Sequence, residues 1–121
     1  MTTKEIANQY VEMIRAGRSP EIYEQLYSNE IICREPEHAA AMGIPTLTTG
    51  INAVLAKSKA RMETIAESHG AYCTDPIVSG DYFSVAMGRE VTFKNRDRRK
   101  FDEIAVFGIK NDKIVSETFF Y

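Results

Sequence analysis

Read along its length, the chain changes its hydrophobic period once. Through about residue 65 the apolar side chains recur every three to four positions, as on one face of a helix. From Glu67 onward they alternate, as on a strand whose two faces meet different surroundings. The switch predicts an α+β domain: helices come first and cover one face of a curved, mainly antiparallel sheet that follows.

The helical half divides into three. Thr2-x-x-Glu5 has the spacing of a capping box and opens the first helix. Ile6, Ala7, Tyr10, Val11, Met13 and Ile14 share its apolar stripe, with Lys4, Asn8, Glu12 and Arg15 opposite. Tyr10 sits near the centre of that stripe, so its ring is expected to be buried. Gly17 suits a helix stop, and Ser19-Pro20 restarts one, Ser as cap and Pro at the first position. This second helix runs to about Tyr27. Glu30 to Glu35 reads as a short strand. Residues 36–49 read as a connection broken by Pro36, Gly43 and Pro45, a length more typical of a binding loop than of a spacer. The third helix follows Thr49-Gly50, with a stripe of Ile51, Val54, Leu55, Ser58, Met62 and Ile65. Strands are expected at 67–74, 81–94, 100–110 and 113–121, with turns at 79–81, 95–97 and 111–112 and a bend at Asp75-Pro76.

The 121 residues fit a single domain, 1–121, large enough to fold without a disulfide or metal. A net charge of −2 with mixed signs points to neither nucleic acid nor an anionic membrane. Cys33 and Cys73 lack CxxC spacing and read as free thiols of a reducing compartment. No apolar run approaches the ~18 residues of a membrane span, and the first residues lack the apolar stretch of an export signal. A cytoplasmic location is expected. Two histidines without ligand spacing, isolated glycines at 80 and 88 and no serine elbow leave no motif for a metal, a phosphate or a serine triad. No cofactor is expected. Five cations between Lys94 and Lys100, with no interleaved aromatic, read as a solvated hairpin tip.

Several short stretches carry a resemblance. Ala7-Asn8-Gln9-Tyr10-Val11 with Ala16-Gly17, Arg34-Glu35-Pro36, Gly50-Ile51 and the closing run Val106 to Val115 occur in the order and spacing of one superfamily. The chain resembles the nuclear transport factor 2-like proteins, in the branch of SnoaL-like polyketide cyclases and ketosteroid isomerases. The resemblance implies a cone-shaped α+β fold with a pocket between helices and sheet. It also implies a homodimer that buries the other sheet face.

Ketosteroid isomerases use a helix tyrosine, an aspartate base before a proline, and an aspartic acid on a later strand. Tyr10 matches the first position, and Glu35 the second with Glu in place of Asp. The third position falls at Ala105, which has no proton to give, although Glu103 shares its strand face. A three-residue loop 110–112 would pair Ile109 with Lys113. Glu103, Ala105, Phe107 and Ile109 would then share a face with Val115, Glu117, Phe119 and Tyr121, and Glu103 and Glu117 would lie diagonally within about 7–8 Å. Buried together, at least one carboxyl should have a raised pKa. A two-residue turn would put the two glutamates on opposite faces. The candidate catalytic residues are Tyr10, Glu35, Glu103 and Glu117. The candidate ligand contacts are His38, Phe107, Phe119 and Tyr121. Each has a plainer reading: a core tyrosine, a strand-end carboxylate paired with Arg34, a solvated loop histidine, exposed edge charges. Three functions remain open. One is cofactor-independent proton transfer on a small, largely apolar carbonyl compound, as in isomerisation or cyclisation. Another is a non-catalytic, homodimeric carrier or sensor of a small ligand. The third is a purely structural dimer with a vestigial pocket.

Overall fold

The computed structural model describes residues 1–121. Helix α1 (Thr3–Arg15) starts at the capping box: the Glu5 N–H donates to Thr2 Oγ1 at 3.1 Å and the Thr2 N–H to Glu5 Oε1 at 3.0 Å. It buries Ile6, Ala7, Tyr10, Val11 and Met13. Helix α2 (Ser19–Gln25) is capped by Arg18, one residue before the expected Ser19. It also stops short of Tyr27, which instead opens strand β1 (Tyr27–Arg34).

The connection after Pro36 is more ordered than its composition suggests. A 3-10 turn (Glu37–Met42) is closed by Gly43 at φ 76°, and strand β2 (Leu47–Thr49) pairs back onto β1. Helix α3 (Ile51–Glu63) precedes β3 (Ile65–Cys73), β4 (Ile77–Ser79), β5 (Tyr82–Phe93), β6 (Arg98–Lys110) and β7 (Lys113–Phe120). The sheet order is β2-β1-β7-β6-β5-β3, and β4 resumes against β5 after the break at Asp75-Pro76. The β1–β7 pair is parallel and every other pair is antiparallel.

Two local expectations are corrected. In α3 the expected stripe holds only in part: Val54 is buried and Ile51, Ser58 and Ile65 half-buried, but Leu55 and Met62 are exposed and Lys57 and Arg61 are half-buried instead. The β6–β7 loop has two residues rather than three. Asn111 (φ 51°) and Asp112 (φ 62°) both adopt left-handed backbone, and Lys110 pairs with Lys113. That turn alone would separate the glutamates. A bulge reverses the effect: Ile109 pairs with Ile114 but Gly108 with Ser116, leaving Val115 as the extra residue. Ile114, not Val115, is therefore buried, and Glu117 returns to the concave face opposite Phe107.

The narrow end of the cone is a ring stack. Phe83 and Phe107 lie with centroids 4.6 Å apart, and Tyr10 tilts against Phe107 at 4.6 Å and Phe83 at 5.7 Å. Such pairs contribute ~0.5–1.5 kcal/mol each beyond the area they bury. On the convex face, a Cβ at Gly88 would lie 2.8 Å from the Tyr72 ring, and one at Gly108 would lie 3.3 Å from that of Tyr82. These two tyrosines cover the glycines, and with Ile104 and Phe120 they form an exposed apolar surface.

Candidate functional site

The wide end of the cone is polar. Period two along β1 aims Ile31, Cys33 and Glu35 at the concave side, where all three are buried. Glu35 sits one residue past the strand, its own N–H donating to the Thr46 carbonyl at 2.9 Å. Its carboxylate is 4% exposed. Oε1 meets Lys57 Nζ at 3.4 Å, and Oε2 is buried with no hydrogen-bond partner.

Lys57 ties α3 to the end of β1. Its ammonium also donates to Cys33 Sγ at 2.9 Å. Burial works against its charge, but Cys33 and Glu35 outweigh that and raise its pKa. Burial, then the nearby Glu117, pushes the Cys33 thiol up to about 12, so the sulfur stays protonated near neutrality. Cys33 is the parallel partner of Glu117, which brings that carboxyl into the same group. Glu117 accepts a hydrogen bond from the Tyr27 hydroxyl. Burial holds its pKa above the ordinary carboxyl value, against Tyr27, Cys33 and Lys57, which favour the charged form.

Glu103 is half-buried on the same concave face and also has a raised pKa, from burial above all. It lies two register steps from Phe107, the partner of Glu117, so the two acids are not diagonal neighbours. The bulge preserves their common face and increases their separation.

Tyr10 is buried, and its hydroxyl meets only the Met87 sulfur, at 3.9 Å. Burial, then the charge of Glu117, raises its pKa well above the usual phenol. Phe107 is wholly buried in the ring stack, behind the polar group rather than on its open side. Phe119 is half-buried opposite Ala105. Tyr121 is partly exposed at the mouth, its hydroxyl raised by burial and then by the Glu35 carboxylate beside it. His38 is exposed and meets the Tyr121 ring edge-on at 5.4 Å.

The structure therefore gathers Glu35, Glu117, Tyr121 and His38 at the wide end of the cone and places Tyr10 and Phe107 deeper. It adds Lys57, Cys33 and Tyr27, none of which sequence reasoning singled out. Val54, Lys57, Ser58 and Arg61 have the i, i+3, i+4, i+7 spacing that could have exposed the inward face of α3. No three His, Cys, Asp or Glu side chains converge as a metal site requires. A cleft of about 700 Å³ lies outside the cone, where α1 (Asn8, Glu12, Arg15) faces Asp75 to Val78. No helix is long and apolar enough to cross a membrane.

Comparison with known proteins agrees with this fold. The family model described as a SnoaL-like domain matches residues 1–121. A proposed SnoaL-like polyketide cyclase from Mesorhizobium loti is 30% identical over 100% of both chains, with a TM-score of 0.90. An NTF2-like protein of unknown function from Burkholderia pseudomallei is 19% identical, over 100% of this chain and 92% of the other, at a TM-score of 0.79. A protein of ketosteroid isomerase-like fold from Catenulispora acidiphila, solved with trimethylamine, is 14% identical over 79% and 69%, at 0.60. No protein of curated function matches.

Proposed function

The chain belongs to the SnoaL-like domain family, and on that premise we propose that its cone binds a small, largely apolar carbonyl compound and moves a proton on it without a cofactor. The observation that carries this reading is Glu35 Oε2, a buried carboxylate oxygen with no partner, on a side chain fixed at its other oxygen by Lys57. Leaving such a group unsatisfied is costly, so it is kept for something the protein itself does not supply. A C–H beside a ligand carbonyl fits: Oε2 accepts the proton and the electron pair moves onto the carbonyl oxygen. Tyr10 has a buried O–H whose protein acceptor is a weak thioether, so it is free to donate to that oxygen. Glu117 and Glu103 lie on the same face, and burial shifts both toward the protonated form that can donate. Returning the proton elsewhere completes an isomerisation; attack of the enolate on a second carbonyl completes an aldol cyclisation.

The test is deuterium exchange into 2-tetralone in D₂O, followed by proton NMR. Wild-type protein should accelerate exchange, and E35Q should lose about 10²-fold or more of that rate. Equal rates for the two proteins would end the catalytic reading. The alternative, a non-catalytic ligand carrier, draws on the filled narrow end of the cone, where the Tyr10–Phe83–Phe107 stack leaves the polar mouth as the binding surface. It predicts binding of the ketone with no exchange. In either case the exposed apolar convex face suits a homodimer.

A further inference from the structure

We propose that Arg61 and Arg89 form an anion subsite at the mouth of the cone, which holds the carboxylate of an otherwise apolar substrate. This names the substrate class of the site above and rests on the reading of the cone as a small-molecule site.

The two arginines come from different elements and converge near Phe101. Alternation along β5 places Arg89 on the concave face with Phe83, Val85 and Met87. Phe101 is its direct partner on β6. From α3, the Arg61 guanidinium lies over that ring, 5.7 Å from the centroid. Arg89 Nη1 reaches the sulfur of Met62, the neighbour of Arg61 on the helix, at 3.5 Å. Both side chains are half-buried, and neither makes an ion pair with a carboxylate. Their protein partners are a π face and a thioether, which leave the N–H edges of both guanidiniums without a strong acceptor.

Bringing two desolvated cations together is unfavourable, and the cost falls visibly on Arg89: burial, then the charge of Arg61, lowers its pKa. A ligand carboxylate would relieve that cost, since planar guanidinium edges match it with paired hydrogen bonds. The surrounding charges set its valence. Lys57 is committed to Glu35 and Cys33. Glu103 lies diagonally across from Arg89, the register partner of Met87. A nearby acid tolerates a singly charged carboxylate better than a phosphate dianion. Anchored there, the ligand's apolar body would lie along Phe119 and Met87, toward Glu35 Oε2 and the Tyr10 hydroxyl.

The experiment is isothermal titration calorimetry with 2-naphthoate and its neutral counterpart 2-naphthamide, on wild type, R61Q and R89Q. Circular dichroism confirms that each variant is folded, and R61Q carries the test if R89Q is not. The expected result is naphthoate binding at least tenfold tighter than naphthamide. Either substitution should weaken naphthoate tenfold or more and leave naphthamide within twofold. Equal affinities that neither substitution changes would overturn the subsite while the cone remains a small-molecule site. Binding of neither compound would overturn both readings.

Discussion

Glu117 is a carboxyl in a poor place to be ionised. Its folded-state pKa is raised above the ordinary 4.5 by burial. Between that value and the raised one, the folded chain holds a proton that the unfolded chain has lost. The contribution of this group to stability is therefore fully present below about pH 4.5 and is lost as pH climbs through the raised pKa. Glutamine keeps the shape and still accepts from Tyr27, but cannot ionise. E117Q should melt about 2–5 °C above wild type at pH 7, and the difference should close below the ordinary carboxyl value. Calorimetry across pH measures this; a lower melting point for E117Q at pH 7 would mean that Lys57 stabilises the charge more than burial penalises it.

The β6–β7 hairpin illustrates how one element can mislead at two points and still deliver its residue. A two-residue turn with positive φ at both positions favours Asn-Gly, and here Asp112 occupies the second. D112G should raise stability by about 0.5–1 kcal/mol in urea unfolding, the exposed contact of Asp112 with the N-terminal ammonium contributing little. The register itself was not legible beforehand for a physical reason. Ile114 and Val115 are both aliphatic, so either can face inward at similar gain, and the one mark of the bulge, Gly108, lies on the partner strand. α1 was legible because capping box, stripe and stop all agree. α3 was legible only in part, because beside Val54 and Ser58 its inward face carries Lys57 and Arg61, residue types that usually mark the solvated side. Glu35 could be picked out by its place before Pro36. Its partner Lys57 could not, because only the packing of α3 on β1 brings them together.

On the scale of the whole molecule, the two faces of the sheet have different employment. The concave face is divided between a ring stack and charged groups. The convex face presents Tyr72, Tyr82, Ile104 and Phe120 to solvent in the single chain. Apolar surface of that extent on a small domain calls for a cover, and a second copy would supply a matching one. Light scattering should give a dimer for the wild-type chain. I104K, at the centre of the face, should shift it to a monomer while leaving binding at the far side of the sheet within about twofold, as expected for separated sites.

The parallel pairing of β1 with β7 joins Cys33 to Glu117, 84 positions later. Synthesis proceeds in one direction, so β2 can cover one edge of β1 early, but the other edge has nothing to zip against until β7 has left the ribosome. A nascent chain can own all three helices and still lack a finished mouth. Glu35 is made early and the strand beside its own arrives late, which concentrates the risk of capturing a foreign strand in that interval.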